Sequence, residues 1–303
     1  MEMNATGGSR RDVHAGSWYS RDNKKLNAQL SEWLSRASTD RRHSRAIISP
    51  HAGYDYSGPT AAFAYNQICP DNVKRFFILG PSHYLGMSGK CALSSVDVFE
   101  TPLYALQVDK DVYQELGRSG EFLRLSVASD EEEHSVEMQL PYVAKVMERR
   151  RGAFTIVPIV VGSLSSAREA VYGRILAPYL LNPENLFVIS SDFCHWGRRF
   201  QYTHYDQQKG AIWQSIQALD EEGMHAIERL SPTDFTAYLD QYGNTICGRH
   251  PIGILLQMIE SLRKGSSPSI QFDFKFIKYT QSEHCQSMND SSVSYAAGSL
   301  LMR

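Results

Sequence analysis

The stretch Phe76-Phe77-Ile78-Leu79-Gly80-Pro81-Ser82-His83 is typical of a buried strand that ends in a polar loop. Its apolar residues run without alternation, which indicates a strand covered on both faces, as in a parallel sheet between helices. The run Leu186-Phe187-Val188-Ile189 repeats this pattern and ends at Ser190-Ser191-Asp192. Strand-like and helix-like stretches alternate from about residue 26 onward, and this alternation predicts an α/β fold.

Helical signals lie between these strands. The segment from Leu26 to Leu34 carries apolar residues at the spacing of a helix with one buried face. A second helix is predicted to follow Pro59, and a third to run to about Leu181. Because no linker interrupts the pattern, we predict a single domain over residues 13–303, with a central mixed sheet flanked by helices. Residues 1–12 are predicted to form a disordered tail.

The composition excludes several classes of protein. The chain has 303 residues, of which 42% are hydrophobic and 21% charged, and its net charge is −2. No basic cluster suited to nucleic acid is present, and no apolar run is long enough to insert into a membrane. Five cysteines without a CxxC pair indicate reduced thiols. We therefore expect a cytoplasmic or nuclear protein that binds no nucleic acid.

Polar residues follow three of the predicted strands. His51, His83 and the pair Asp192 and His195 each occupy the loop after such a strand. Ligands of open α/β sheets bind beyond the carboxyl ends of the strands, so these loops are expected to converge. Each residue also has a structural explanation, as a turn histidine, a helix N-cap or a packing corner. The recurrence at three strand ends favours one shared site.

Cys247 is a further candidate for this site. It precedes a predicted helix, where backbone N–H groups and the helix dipole favour negative charge and would lower the pKa of the thiol. A buried, inert cysteine is the alternative. Two imidazoles and a thiolate would suit iron, copper or zinc. Asp192 and His195 would then orient the ligands or act as acid and base.

Six sequence blocks resemble motifs of the Memo family, which is named for mediating cell motility driven by a receptor tyrosine kinase. The blocks extend from about residue 13 to the end of the chain. They are His14-Ala15-Gly16-Ser17-Trp18-Tyr19, Pro50-His51-Ala52-Gly53-Tyr54, Gly80-Pro81-Ser82-His83, His134-Ser135-Val136-Glu137-Met138, Ser190 to Gly197 and Cys247-Gly248-Arg249-His250-Pro251.

The resemblance implies a fold similar to the class III extradiol dioxygenases, which are non-haem iron enzymes. It implies that His51, His83 and Cys247 are metal ligands, with iron or copper as the metal. Asp192 and His195 match the other polar residues of the same pocket. Four positions match residues implicated in binding a phosphotyrosine-bearing receptor peptide: Trp18, His51, His195 and Cys247.

One residue departs from the dioxygenase pattern. Cys247 stands where those enzymes place a carboxylate, and a thiolate favours copper or zinc and is itself oxidisable. This change argues against extradiol ring cleavage. The resemblance implies a metal-binding signalling protein that links receptor tyrosine kinases, through a receptor peptide or adaptor proteins, to the cytoskeleton and migration, with a redox role in metal homeostasis. The alternatives are a metal-dependent oxidase or dioxygenase-like enzyme, and a hydrolase with Cys247 as nucleophile.

Overall fold

A computed structural model describes residues 7–38, 43–265 and 270–303 of the chain. The helices are α1 (Asn23–Arg36), α2 (Tyr54–Tyr65), α3 (Lys110–Arg118), α4 (Val127–Glu132), α5 (Leu140–Val146), α6 (Ser166–Leu181), α7 (Ile212–Glu228), α8 (Pro232–Tyr242) and α9 (Arg249–Gly265). The strands are β1 (Ser9–Arg10), β2 (Ala46–Ser49), β3 (Arg75–Pro81), β4 (Cys91–Leu93), β5 (Val98–Phe99), β6 (Leu106–Gln107), β7 (Phe122–Arg124), β8 (Thr155–Val161), β9 (Asn185–Ser190), β10 (His195–Trp196), β11 (Phe272–Gln281) and β12 (Ser292–Met302).

Within the described residues, the main sheet has nine strands, and its centre is parallel. The order is β10-β12-β2-β9-β3-β8-β4-β7, with β11 paired to the other side of β12. Strands β2, β9, β3 and β8 run parallel, whereas β12 and β4 pair antiparallel with this centre. The predicted single α/β domain with a central mixed sheet flanked by helices is confirmed.

Helices cover the sheet because its central strands are apolar on both faces. Helices α6 and α9 pack closely against each other and against β9, while α1, α2 and α5 form a second group beside β2 and β12. The contact between α6 and α9 depends on Gly173. A Cβ atom at this position would lie 2.8 Å from the backbone of Gln257, which is closer than atoms can pack.

The parallel arrangement brings three loops to one edge of the sheet. Strands β2, β9 and β3 are neighbours with a common direction, so their carboxyl ends lie side by side. The loops that follow these ends carry His51, Asp192 and His83. This is the convergence expected from the sequence.

The prediction of a disordered tail is wrong for its last residues. Ser9–Arg10 pairs with Val98–Phe99 as a parallel strand. The buried guanidinium of Arg10 forms ion pairs with Asp130 at 3.2 Å and with Glu137 at 2.7 Å. These contacts order residues 7–12, which the polar composition alone did not indicate. Residues 1–6 lie outside the described part of the chain.

The predicted start of α2 is also wrong. The helix begins at Tyr54, whose N–H donates to the carbonyl oxygen of Trp18 at 2.9 Å, and Pro59 lies inside it. Proline removes the hydrogen bond to the carbonyl four residues earlier, which belongs to Asp55. Asp55 is exposed, so water can hydrate that carbonyl. Among the described helices, none has the length and apolar character needed to cross a bilayer.

Candidate metal centre

Three side chains from separate loops bring their donor atoms together. The ligand atoms of His51, His83 and Cys247 all lie within 4.8 Å of one another. The Sγ atom of Cys247 is 3.2 Å from Nε2 of His51. His51 is only 2% exposed, whereas the side chain of His83 is 27% exposed and marks the open side of the centre. The structure therefore assembles the three residues that the sequence singled out.

The surroundings of His51 determine which of its ring nitrogens carries hydrogen. Its Nδ1 lies 2.8 Å from the hydroxyl oxygen of Ser190. That hydroxyl donates its single hydrogen to the carbonyl of Ser135 at 2.7 Å and accepts from Nε2 of Gln139 at 2.8 Å. Ser190 therefore has no hydrogen left for His51, and Nδ1 of His51 must be the donor. In the neutral ring, the lone pair then lies on Nε2, which faces Cys247.

A buried carboxylate orients His83 in the same way. Nδ1 of His83 lies 2.9 Å from Oε1 of Glu133, and the backbone N–H of His83 donates to Oε2 at 2.5 Å. Burial alone would raise the pKa of Glu133, but hydrogen bonds and charge from His83 lower it to about 2. The carboxylate is thus an acceptor, Nδ1 of His83 is the donor, and Nε2 is left free.

Burial keeps the rings of His51 and His134 neutral. Burial, and then the charge of His83, hold the pKa of His51 well below its ordinary value. Burial likewise lowers the pKa of His134 to about 3. The ring of His134 stacks on that of His83, with 4.4 Å between ring centroids. Neutral imidazole is the form that binds metal ions, so His51 would need to release little or no proton on binding one.

The pKa of the Cys247 thiol shifts in the direction opposite to the predicted one. Burial, with a further contribution from the charge of Asp192, raises the pKa of Cys247 above its ordinary value. The sequence predicted a lowered pKa because α9 begins shortly after this residue. The loss of hydration outweighs the favourable helix dipole. A bound cation would reverse this balance, since a metal ion deprotonates a thiol that coordinates it.

Asp192 and His195 lie beside the cluster of His51, His83 and Cys247. Oδ1 of Asp192 accepts from the backbone N–H of His51 at 2.9 Å, and Oδ2 lies 4.0 Å from Nε2 of His51. Burial raises the pKa of Asp192, and the charge of His195 opposes this shift. Nδ1 of His195 donates to the carbonyl oxygens of Phe193 at 2.9 Å and Thr245 at 3.1 Å. No described residue forms a hydrogen bond with its Nε2.

Trp18 reaches the centre through an intermediate ring. Its indole lies against His134, with 4.4 Å between centroids, and His134 in turn contacts His51. Trp18 also lines a cleft of about 260 Å³ together with Arg21 and Lys25. Trp18 therefore contacts the cluster of His51, His83 and Cys247 through His134, and it also lines a cleft whose charged residues are Arg21, Lys25 and Asp55.

Sequence analysis missed the residues that support the ligands. Glu133 and Gln139 were assigned no role, and His134, Ser135 and Ser190 were noted only as parts of family motifs. Ser135 joins the two supports, since its N–H donates to Glu133 at 2.9 Å and its carbonyl accepts from Ser190. The signal that could have found them is the unusual density of polar residues between Glu131 and Gln139.

Comparison with known proteins identifies the relatives of this chain. A family profile described as Memo-like protein matches residues 10–299. The chain is 54% identical to Protein MEMO1 of Xenopus laevis, over 95% of this chain and 96% of that protein. Protein MEMO1 of Homo sapiens is 53% identical, with 95% of each chain covered. The chain belongs to the Memo family.

More distant comparisons agree with this membership. The memo-1 homolog of Caenorhabditis elegans is 46% identical to this Memo-family chain, over all of the chain and 85% of that protein. Among solved structures, uncharacterized protein JW3007 from Escherichia coli K12 superposes with a TM-score of 0.52. That match covers 83% of this chain and 98% of the bacterial one at 12% identity, so it supports the fold alone.

Proposed function

We propose that this Memo-family protein binds iron or copper, with zinc as a further candidate, through His51, His83 and Cys247. One observation carries the proposal. Both histidines donate from Nδ1 to fixed acceptors, so their Nε2 lone pairs are available beside the thiol sulfur. Convergent nitrogen and sulfur donors held by outer hydrogen bonds are the usual arrangement of a transition-metal site.

The donor set fits these metals. Two imidazoles and one thiolate leave coordination positions open, and soft sulfur favours copper or zinc while imidazole also suits iron. When bound, iron or copper would supply Lewis-acid and redox chemistry. The redox chemistry would serve a role of the protein in metal homeostasis. The protein's own residues orient the ligands, and Asp192 and His195 provide groups that can hold or transfer a proton beside them.

Metal titration tests this proposal. The purified full chain is titrated anaerobically with Fe(II), Cu(I) or Zn(II) against a competing chelator. One tightly bound equivalent is expected, and His51→Ala and Cys247→Ser should each weaken its binding at least about tenfold, as loss of a ligand does. Cys69→Ser is the matched control, because Cys69 is another partly exposed cysteine and lies outside the cluster. Equal stoichiometry and affinity in all four proteins would contradict the ligand assignment.

We further propose that the protein links receptor tyrosine kinase signals to the cytoskeleton and cell migration, acting in the cytoplasm or nucleus. Membership of the Memo family supports this role. We assign a phosphotyrosine-bearing peptide or adaptor protein to the cleft beside Trp18, whose lining has two cations, Arg21 and Lys25, and one anion, Asp55. The ammonium of Lys25 has no ion-pair partner among the described residues, and an aromatic ligand could stack on Trp18.

Peptide binding can be measured by calorimetry. A phosphotyrosine peptide should bind more tightly than its unphosphorylated form, and Trp18→Ala should weaken that binding. Lys25→Gln should reduce the preference for phosphate, whereas Lys24→Gln should not, because Lys24 is an exposed neighbour that does not line the cleft. Equal affinity of the wild-type protein for both peptides would exclude phosphotyrosine recognition.

A metal-dependent oxidase or dioxygenase-like enzyme is the second candidate, and the free Nε2 of His195 favours it. This atom has no hydrogen-bond partner in the described chain, while Nδ1 is held by two carbonyl groups. A ring fixed in this way can accept a proton from a substrate. Oxygen consumption with catechols or with reductants should then require the metal and fall in His195→Gln. Turnover equal to that of the free metal would leave the metal-binding signalling role.

A further inference from the structure

Four buried tyrosines form a continuous chain of rings, which we call the tyrosine chain. Tyr65 stacks on Tyr142, with 4.8 Å between the ring centroids. The ring of Tyr142 lies 5.5 Å from that of Tyr54, which lies 5.3 Å from that of Tyr19. The four residues are between 0% and 6% exposed. Phenol rings can be oxidised by one electron, and an electron passes readily between aromatic rings in contact.

The hydroxyl groups of the tyrosine chain need an explanation more than its rings do. Phenylalanine would fill the same interior volume, whereas a buried phenol must find a hydrogen-bond acceptor. Tyr142 donates to the carbonyl of Gly58 at 2.6 Å, and Tyr54 donates to the carbonyl of Met138 at 2.7 Å. Backbone carbonyls hold these two phenols in place but are too weakly basic to take up their protons.

Hydrogen bonds join one end of the tyrosine chain to the candidate metal centre. The hydroxyl of Tyr65 donates to Oε1 of Gln139 at 2.9 Å. Nε2 of Gln139 and Nδ1 of His51 both donate to the hydroxyl oxygen of Ser190, each at 2.8 Å. Three hydrogen bonds between side chains therefore connect the phenol of Tyr65 with a proposed metal ligand.

The other end of the tyrosine chain has a carboxylate as its acceptor. The hydroxyl of Tyr19 donates to Oε1 of Glu137 at 2.8 Å. Burial alone would raise the pKa of Glu137, but a hydrogen bond from His14 and the charge of Arg10 lower it, so the group is ionised. Burial, followed by the charge of Glu137, raises the pKa of Tyr19, so the phenol keeps its proton at rest. Loss of one electron makes a phenol strongly acidic, and Glu137 is then positioned to take the proton.

Tyr19 also lies at the end of the tyrosine chain that borders solvent. Tyr19 and Tyr54 line the cleft of about 260 Å³ beside Trp18, whereas Tyr65 and Tyr142 are fully buried. An oxidised chain is therefore expected to lose its electron finally from Tyr19, where an ionised acceptor and an open cleft meet.

We propose that the tyrosine chain carries an electron from Tyr19 to the metal centre when hydrogen peroxide reacts there. This inference rests on the metal binding proposed above. Hydrogen peroxide takes up two electrons, and two protons from solvent, to give two molecules of water. One electron comes from bound Fe(II), which becomes Fe(III), and the other comes from Tyr19 through the chain. The O–H bond of Tyr19 breaks, its proton moves to Oε1 of Glu137, and a neutral tyrosyl radical remains.

Freeze-quench EPR spectroscopy on the full chain tests the proposal. The protein is loaded anaerobically with one equivalent of Fe(II), its iron content is measured, and one equivalent of hydrogen peroxide is added. The spectrum of a neutral tyrosyl radical is expected. Ring-deuterated tyrosine in the protein should narrow this spectrum, whereas ring-deuterated tryptophan should leave it unchanged. Tyr19→Phe should abolish the signal because it removes the phenol that is oxidised, and Tyr142→Phe should abolish it because it interrupts the chain.

Tyr113→Phe is the matched control for Tyr142→Phe. Tyr113 is also buried and donates to a backbone carbonyl, that of Pro158, at 2.6 Å, but it is not a member of the tyrosine chain. This variant should give the signal of the wild-type protein. Each substitution keeps an aromatic ring in place, so all three variants are expected to fold and to bind iron.

The outcomes separate this inference from the metal proposal. Iron-loaded wild-type protein that forms no tyrosyl radical would overturn the inference and leave metal binding intact. A signal retained in Tyr19→Phe or Tyr142→Phe, or a radical located on tryptophan, would overturn it as well. A signal lost equally in Tyr113→Phe would show that the loss does not depend on the chain. Absence of bound iron would refute iron binding and the inference together.

Discussion

The carboxylate of Glu133 lies 2.9 Å from Nδ1 of His83, although 50 residues separate the two in sequence. This contact makes the Nδ1 of His83 a donor and leaves Nε2 free beside His51 and Cys247. The carboxylate is almost fully buried, with 1% of its side chain exposed. His83 is the most exposed of the three proposed ligands, and Glu133 gives its ring the orientation that Ser190 gives to the ring of His51.

Replacing Glu133 by Gln should weaken metal binding. The amide cannot accept hydrogen bonds at both of its terminal atoms, so it loses one of the contacts that hold the ring and backbone of His83. Loss of an outer-shell partner typically lowers metal affinity about 10–100-fold. Chelator competition measures the change, with the exposed neighbour Glu132→Gln as the control. Identical affinities for the two variants would show that Glu133 does not position His83.

Replacing Ser190 by Ala should lower the stability of the protein as well as its metal affinity. The substitution leaves Nδ1 of His51 and Nε2 of Gln139 without their common acceptor in the interior. An unsatisfied buried donor costs about 1–3 kcal/mol. Urea denaturation of the metal-free protein measures this loss. Ser31→Ala, at an exposed position of α1, should change the free energy of unfolding little, and a similar loss in both variants would refute the argument.

Replacing Arg10 by Leu should strongly destabilise the fold. The change leaves the buried carboxylates of Asp130 and Glu137 without their cation. Breaking a buried ion pair on one side typically costs about 3–5 kcal/mol. Arg11→Leu is the matched control, because the side chain of Arg11 is 70% exposed and its ion pair with Glu131 contributes little. Equal unfolding midpoints in urea would mean that residues 7–12 do not contribute to the folded core.

Stability should fall as pH rises through the titration of Asp220. Burial, opposed by hydrogen bonds from its neighbours, raises the pKa of Asp220 from 3.8 to about 6. Because the folded state binds this proton more tightly than the unfolded state, its contribution is full below about pH 4 and is lost as pH rises through about 6. The shift corresponds to about 3 kcal/mol.

Asp220→Asn should remove this part of the pH dependence. Urea denaturation of the wild-type protein and the variant across that range measures the difference in slope. The exposed Asp240 provides the control, since Asp240→Asn should leave the slope unchanged. A wild-type slope retained in Asp220→Asn would contradict the raised pKa.

Much of the fold was predictable from local patterns. The apolar runs at 76–79 and 186–189 are strands because such runs can be buried on both faces of a parallel sheet. Ser231 and Pro232 mark the start of α8, where the serine hydroxyl accepts from the N–H of Asp234. The start of α2 was not predictable in this way, because it depends on a hydrogen bond from Tyr54 to the distant Trp18.

The sequence by itself determined the α/β class, the central strands and the three loops that carry His51, His83 and Asp192. It could do so because hydrophobic periodicity and strand-end positions are local properties of the chain. Only the tertiary structure decided which residues orient the histidines and in which direction the pKa of Cys247 shifts. It also decided that residues 7–12 have an ordered structure. These depend on burial and on contacts between distant segments, such as Glu133 with His83 and Arg10 with Asp130, which no local pattern encodes.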